Sequence, residues 1–281
     1  MNIGLIGAGY WGKNLARAFH QLGVLKVICD PSEEVLLAKK QKYPNMEFTT
    51  SYAELLLRSD IDALVIATPA IMHYSMVREV LLAGKHVFVE KPLALTEQEG
   101  LDLNKIAQDV GKVLFVGHIL HYHSAIQKIK EMIQKGELGK LQYIYSNRLN
   151  LGKFRKEENI LWSFAPHDIS VILSLVNEEP THVMAMGSNI LHPEIADTTM
   201  THLKFRNGVS AHIFVSWLHP FKEQKLVVIG DKKMVVFDDT APIESKLSVY
   251  PHNIRWKNGV PVAEKKEKNN VDLSKDWKDL Y

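Results

Sequence analysis

The spacing of apolar residues changes character about two-fifths of the way along the chain. Up to about residue 117, short apolar runs alternate with segments whose apolar residues recur at helical spacing. These predict strands over Asn2–Ile6, Val24–Cys29, Asp62–Ala67, His86–Val89 and Val113–Val116. Between them, helices are predicted over Lys13–Leu22, Ser32–Lys42, Ile71–Leu82 and Thr96–Val110. Such alternation builds a parallel, doubly wound sheet. From Gly117 on, the alternation stops. A helix over His123–Lys135 is ended by Gly136 and Gly139, and a strand over Leu141–Asn150 and an apolar helix over Ile169–Val176 follow. Strand spacing then recurs over Thr181–Ile190, Thr198–Phe205, Ser210–Trp217, Lys225–Ile229 and Met234–Phe237, with Asn207-Gly208 as a hairpin signal.

The first strand passes straight into Gly7-Ala8-Gly9-Tyr10-Trp11-Gly12 and then a helix, the context in which a GxGxxG turn binds a dinucleotide. Gly7 allows the tight turn, Gly9 the approach of a pyrophosphate, and Gly12 the close packing of helix on strand. The phosphates then rest on helix N–H groups at the positive end of the dipole. Asp30 ends the next apolar run, where the ribose-binding carboxylate of such folds belongs. A helix N-cap is the other reading of Asp30. Pro31 and Ser32 follow it with no arginine for a 2′-phosphate, so NAD is expected over NADP.

The fold class expected is therefore α/β, with an N-terminal Rossmann doubly wound parallel sheet and a C-terminal α+β domain carrying a largely antiparallel open sheet. Residues 1–118 are expected to bind the dinucleotide, and residues 119–281 to bind substrate and to oligomerise. In Ala211–Leu218 both alternating sets contain apolar groups, so both faces of that strand are expected to be covered, one by helices and the other by a second subunit. A homodimer or homotetramer follows.

Composition narrows the classes further. The 281 residues carry 34 Lys+Arg against 32 Asp+Glu without a basic block, so no nucleic-acid face is expected. Cys29 is the only cysteine, which excludes an intramolecular disulfide. There is no basic leader, and no apolar stretch approaches the roughly 20 residues of a membrane span. A soluble, cytoplasmic protein without a membrane partner is expected.

Val87-Phe88-Val89-Glu90-Lys91-Pro92 is an apolar strand ending in a carboxylate, an ammonium and a proline. In open α/β sheets that carboxyl edge is where ligands bind, so Lys91 has two readings, a rigidly held lysine that touches both cofactor and substrate or a solvated lysine at a strand end. Thr68 and Pro69 leave the fourth strand at the same edge and are expected along the nicotinamide half of the cofactor. His73, just beyond, has two readings, a cofactor-site residue that caps the helix near that crevice or a partly exposed helix residue.

Gly7, Gly9, Gly12, Asp30, Thr68-Pro69 with His73, and Glu90-Lys91-Pro92 stand in one order and at one spacing that resembles the Gfo/Idh/MocA family of nicotinamide-dependent sugar oxidoreductases. Of these motifs, Glu-Lys-Pro is the most specific. The resemblance implies that Lys91 binds the cofactor ribose and a substrate hydroxyl, that Glu90 positions the cofactor, and that Tyr10 and Trp11 join the cofactor site. Tyr10-Trp11-Gly12-Lys13-Asn14 and Ser163-Phe164-Ala165-Pro166-His167-Asp168 are similar to members encoded in polysaccharide gene clusters, the 3-dehydrogenases of UDP-N-acetylglucosamine and its uronic acid.

By the same resemblance, His167 is the catalytic histidine at the start of its helix, facing Lys91 across the cleft, and a histidine suits removing a hydroxyl proton as hydride leaves. Relatives often carry an aspartate four residues before it, where this chain has Ser163; Asp168, next to the histidine, is expected to take over its electrostatic role at the substrate site, although an adjacent residue on a helix points elsewhere. Which of Lys91 and His167 is the base stays open. Ser163 motivates a rival, a non-catalytic NAD-binding regulatory protein. His121 and Tyr122 stand where the family has an arginine and an aromatic, and are expected to line the substrate pocket. His118, His121 and His123 lack a Cys, Asp or Glu among them to complete a metal shell, so no metal is expected. Arg148, Lys153 and Arg155 have two readings, contact with the diphosphate of a nucleotide sugar or a solvated basic loop balanced by Glu157 and Glu158. After Asn258 the chain reads as polar, without the further helix with which family members return to the cofactor domain. The resulting expectation is hydride transfer between NAD and a sugar carbon, C3 of a UDP-linked N-acetylated amino sugar, with a free sugar or cyclitol as the alternative substrate.

Overall fold

A computed structural model describes residues 1–152, 154–156 and 158–274, which fall into two compact units, one of residues 1–118 and one beginning at Ile119. In the first, β1 (Ile3–Ile6), α1 (Gly12–Gln21), β2 (Leu25–Cys29), α2 (Glu33–Lys42), β3 (Glu47–Thr49), α3 (Tyr52–Leu57), β4 (Ala63–Ile66), α4 (His73–Leu82), β5 (His86–Val89), α5 (Glu97–Asp109) and β6 (Leu114–Val116) alternate. The six strands are parallel in the order β3-β2-β1-β4-β5-β6, with apolar clusters on the two faces of the sheet. Every residue of β1 and β4 is buried, as the continuous apolar runs of central parallel strands require. The order reverses between β1 and β4, and the crevice beyond the strand ends at that switch point is where open α/β sheets take ligands. β3 and α3 were not located from the sequence: three and six residues are too short for periodicity to register.

The second unit holds α6 (Ser124–Gln134), β7 (Leu141–Leu151), α7 (Ile160–Val176), β8 (Pro180–Ser188), β9 (Thr198–Phe205), β10 (Ser210–Ser216), β11 (Leu218–Gly230), β12 (Lys233–Asp238), β13 (Leu247–Lys257), β14 (Val260–Lys265) and β15 (Asn269–Asn270). Eight of its nine strands run in the order β14-β13-β12-β11-β7-β10-β9-β8, and β15 pairs with β13. β7 and β10 are parallel and the other pairs antiparallel, so the sheet is largely, not wholly, antiparallel. One sheet face takes α7, with Ala211, Ile213 and Val215 of β10 fully buried.

Two expectations need correction. The helix expected over Ile169–Val176 begins at Ile160, capped by Asn159, whose side chain accepts from the Trp162 N–H. Pro166 lies inside it, where its missing N–H makes no bond to the preceding turn and its ring crowds the carbonyl of Trp162. His167 is therefore in the body of the helix and not at its start. The stretch after Asn258, read as polar, forms a hairpin of β13 with β14. Asn258 (φ 53°) and Gly259 (φ 78°) both take the positive φ that a type I′ hairpin turn demands.

Candidate active site

The first unit gathers five loops at the carboxyl ends of its strands. Gly7, at the end of β1, has φ 89°, and a Cβ there would lie 2.8 Å from the Ala67 carbonyl oxygen. A Cβ on Gly12 would lie 1.9 Å from the Gly7 carbonyl oxygen, so only glycine lets α1 start this close to β1. A Cβ on Gly9 would meet nothing within 4 Å. Packing thus explains Gly7 and Gly12, whereas the space at Gly9 opens outward, as a site for a pyrophosphate requires. The first turn of α1 carries no acidic side chain to compete for its N–H groups. This backbone geometry fits a dinucleotide.

Asp30 resolves between its two readings. The cap of α2 is Ser32, whose Oγ accepts from the Val35 N–H at 3.3 Å. Asp30, 8% exposed, accepts from the Ala8 N–H through Oδ2 at 2.8 Å and from the Ser32 N–H through Oδ1 at 3.0 Å. It ties the glycine turn to the end of β2, and the carboxylate has further lone pairs for a ribose hydroxyl.

Beyond β5, Glu90 is buried and accepts from the Trp11 indole N–H at 2.6 Å. Burial pushes its carboxyl above the usual carboxylate range, opposed by the Trp11 bond, the Lys91 backbone and the Lys91 charge. Gly117, after β6, leaves room for it, since a Cβ there would sit 3.0 Å from Glu90 Oε1. The sequence carried no signal for this contact, which joins three strand ends. Lys91 is half-buried, and Tyr10 is 83% exposed with Lys13 Nζ 5.1 Å over its ring. Thr68 Oγ1 lies 3.5 Å from Met76 Sδ, and Pro69 leads into a 3₁₀ turn over Ala70–Met72. His73 is 1% exposed, which rules out its reading as a partly exposed helix residue, and it does not cap the helix, being the first residue of α4, whose N-cap is Met72 with no side-chain cap bond.

In the second unit, α7 buries Ser163 and Asp168, while His167 is half-buried. Ser163 and His167, four residues apart on one helix, share a face. Asp168 turns instead to β7, accepting from Ser146 Oγ at 2.6 Å and from Arg148 Nε and Nη2 at 2.7 and 3.2 Å. Arg148 is thereby engaged with a buried carboxylate. Arg155 pairs with Glu158 at 3.5 Å on a partly exposed loop, the solvated arrangement among its two readings. Lys153 and Glu157 lie outside the described residues. Two of the three histidines serve different ends. His121 Nδ1 lies 3.1 Å from Lys130 Nζ, and burial first, then that ammonium, pushes the imidazole below its ordinary pKa. His123 Nδ1 accepts from the Ala125 N–H at the start of α6. Tyr122 is 50% exposed. Among the described residues no three His, Cys, Asp or Glu side chains group as a metal site requires, and no helix is long and apolar enough to cross a membrane.

Comparison with known proteins agrees with this geometry. Residues 1–118 match the family model described as an oxidoreductase family with an NAD-binding Rossmann fold, and residues 126–236 match that of the GFO/IDH/MocA C-terminal domain. The chain is 26% identical over 256 residues to 2,7-anhydro-N-acetylneuraminate hydratase of Escherichia coli, covering 85% of this chain and 68% of that protein. It is 28% identical over 217 residues to UDP-N-acetylglucosamine 3-dehydrogenase of Acidithiobacillus ferrooxidans, covering 77% and 67%. Among crystal structures, the WlbA dehydrogenase of Bordetella pertussis in complex with NADH and UDP-GlcNAcA superposes with a TM-score of 0.78 at 26% identity, over 86% of this chain and 74% of that one. With an NAD-shaped glycine turn, a carboxylate at the end of β2, and both family models matched in chain order, the protein belongs to the GFO/IDH/MocA family of NAD-binding oxidoreductases.

Proposed function

We propose that the protein moves hydride between NAD and a hydroxyl-bearing carbon of a UDP-linked N-acetylated amino sugar, at C3. The observation that carries the reading is the similarity to WlbA, a dehydrogenase crystallised with NADH and UDP-GlcNAcA, over 86% of this chain. The similarity to UDP-N-acetylglucosamine 3-dehydrogenase supports the same carbon. NAD supplies the hydride chemistry when bound, and the protein holds it and manages one proton. Gly7, Gly9 and Gly12 give the pyrophosphate its approach and Asp30 the ribose its acceptor. Lys91 orients the substrate hydroxyl from the end of β5, and Lys91 and His167 are the groups that handle its proton. His121, Tyr122 and Ser163 line the sugar site.

A second reading, a free sugar or cyclitol as substrate, is favoured by one observation. Arg148 and Arg155 are engaged with Asp168 and Glu158, which leaves the diphosphate without the two arginines expected to meet it. The test incubates the protein with NAD and UDP-N-acetylglucosamine, its uronic acid, or free sugars and cyclitols. It follows nicotinamide absorbance and, because a relative is a hydratase, product mass as well. Turnover of the UDP-sugars, lost in Lys91→Ala with NAD still bound, is expected. Turnover of free sugars alone selects the second reading, and no conversion of any of them refutes both.

The open face of the second sheet supports self-association. The strand registers place Met184, His202, His212 and Tyr145 in one row across β8, β9, β10 and β7, and the Tyr145 and His212 rings stack at 5.2 Å. Met186 and Met200 form part of the next row and are 70% and 42% exposed. An apolar and aromatic face of this kind is covered by a second copy in the proposed homodimer or homotetramer. Sedimentation of the protein and of Met200→Glu tests this, and a monomeric parent chain would refute it.

A further inference from the structure

We propose that His73 is a positioning residue that donates from both ring nitrogens, bracing the Thr68 and Pro92 carbonyls and so fixing Lys91 at the end of β5. The proposal rests on the role given to Lys91 above. His73 Nδ1 lies 2.6 Å from the Pro92 carbonyl oxygen and Nε2 lies 2.9 Å from the Thr68 carbonyl oxygen. A carbonyl oxygen only accepts, and a neutral imidazole carries hydrogen on one nitrogen alone. In either neutral tautomer a nitrogen lone pair would face a carbonyl lone pair at contact distance, in a ring 1% exposed and so out of reach of bulk water. The imidazolium satisfies both oxygens and makes both bonds charge-assisted.

Two effects oppose the charge. His73 is the first residue of α4, at the positive end of its dipole, and burial disfavours any cation. The dipole amounts to about half a charge spread over a turn. Against these stand two carbonyl oxygens, each at hydrogen-bond distance from one ring nitrogen. Charged groups on the elements that pack around the ring are Glu90 and Lys91 after β5, Arg78 and Glu79 further along α4, and Glu97, Glu99, Asp102, Lys105 and Asp109 of α5, of which Asp102 accepts from Tyr74 and Lys105 pairs with Asp109. None of these is a hydrogen-bond partner of the ring, so its protons are set by the carbonyls. Among the described residues no backbone N–H donates to either oxygen, which leaves His73 as the group that holds them. One oxygen belongs to the turn after β4, and the other to the residue after Lys91. Removing the brace frees both turns that flank the crevice at the edge where the cofactor lies.

The test is nitrogen NMR on the full chain labelled at histidine, at pH 7, with the His73 signals identified by their absence in His73→Gln. Both ring nitrogens are expected at protonated shifts. A single unprotonated ring nitrogen overturns the proposal. This measurement requires neither substrate nor turnover, so it stands or falls separately from the assignment of the reaction. On the proposed reaction, His73→Phe keeps the ring shape and removes both donors. Its kcat is expected to fall about 100-fold, the scale of a misplacement of about 1 Å, with NAD affinity changed less than about threefold and partial rescue in His73→Gln. An unchanged kcat in His73→Phe likewise overturns the positioning role.

Discussion

Replacing Arg148 by Met separates two roles for this arginine. As a partner of Asp168, it neutralises a carboxylate whose side chain is 6% exposed, with its own side chain 14% exposed. Exposed pairs of this type contribute about 0–1 kcal/mol, but taking one partner from a buried pair costs about 3–5 kcal/mol, because the remaining charge loses its counter-charge out of water. Ser146 Oγ still donates to Asp168 in the variant, which places the expected loss at the lower end, about 3 kcal/mol. With a urea slope of about 2 kcal/mol per M, that is a midpoint lowered by roughly 1.5 M. The assay is urea unfolding read by tryptophan fluorescence, to which Trp217, 1% exposed in the core of the second unit, contributes. Replacing both partners, Arg148→Met with Asp168→Leu, should recover most of the loss, since an apolar pair leaves no orphaned charge. If Arg148→Met unfolds within about 0.5 M of the parent chain and only weakens the binding of a UDP-sugar, the structural pairing is refuted and the diphosphate role stands.

Further outcomes follow from the glycine turn and from a buried carboxylate of the second unit. Gly9→Ala should melt with the parent chain, since its Cβ meets nothing within 4 Å, but lose the thermal shift that NAD produces. Gly12→Ala should lower the melting temperature itself, because its Cβ would stand 1.9 Å from the Gly7 carbonyl oxygen; equal melting of the two variants would refute this division. Asp197 is 1% exposed and accepts from the N–H groups of Ile190 and Leu191 and from the Trp217 indole. Burial raises its pKa, but those donors outweigh burial and hold it below the ordinary 3.8. A depressed folded pKa contributes stability that is present above the unfolded value and lost as pH falls through the folded one. Asp197→Asn should therefore flatten the decline of stability below about pH 4, measured by urea unfolding at stepped pH, and an unchanged acid limb would contradict it.

Elements that the chain specifies by local pattern are legible in the sequence itself. A continuous apolar run marks a strand buried on both faces, and the spacing of Gly7, Gly9 and Gly12 after such a run encodes a turn whose geometry is local. Asp30 and Glu90-Lys91-Pro92 were placed because strand ends in a parallel sheet converge on one edge whatever their side chains. Where local signals conflict with packing, the sequence misled. The helix read from Ile169 extends back through Pro166 to Ile160, because its buried face packs on the sheet. The β13–β14 hairpin carries exposed side chains throughout β14, so hydrophobic alternation gave it no mark, although Asn258-Gly259 was a turn signal of the kind used at Asn207-Gly208.

What the sequence by itself determined is the dinucleotide half of the protein apart from β3 and α3, with the residues at the ends of the strands it located, because turns and strand ends depend on neighbours in the chain. Only the tertiary structure decided how side chains spend their hydrogen bonds. Asp168 takes Arg148, 20 residues away, Glu90 takes Trp11, 79 away, and His73 faces the carbonyl of Pro92, 19 away. Such pairings depend on which elements fold against one another, and no spacing along the chain records that.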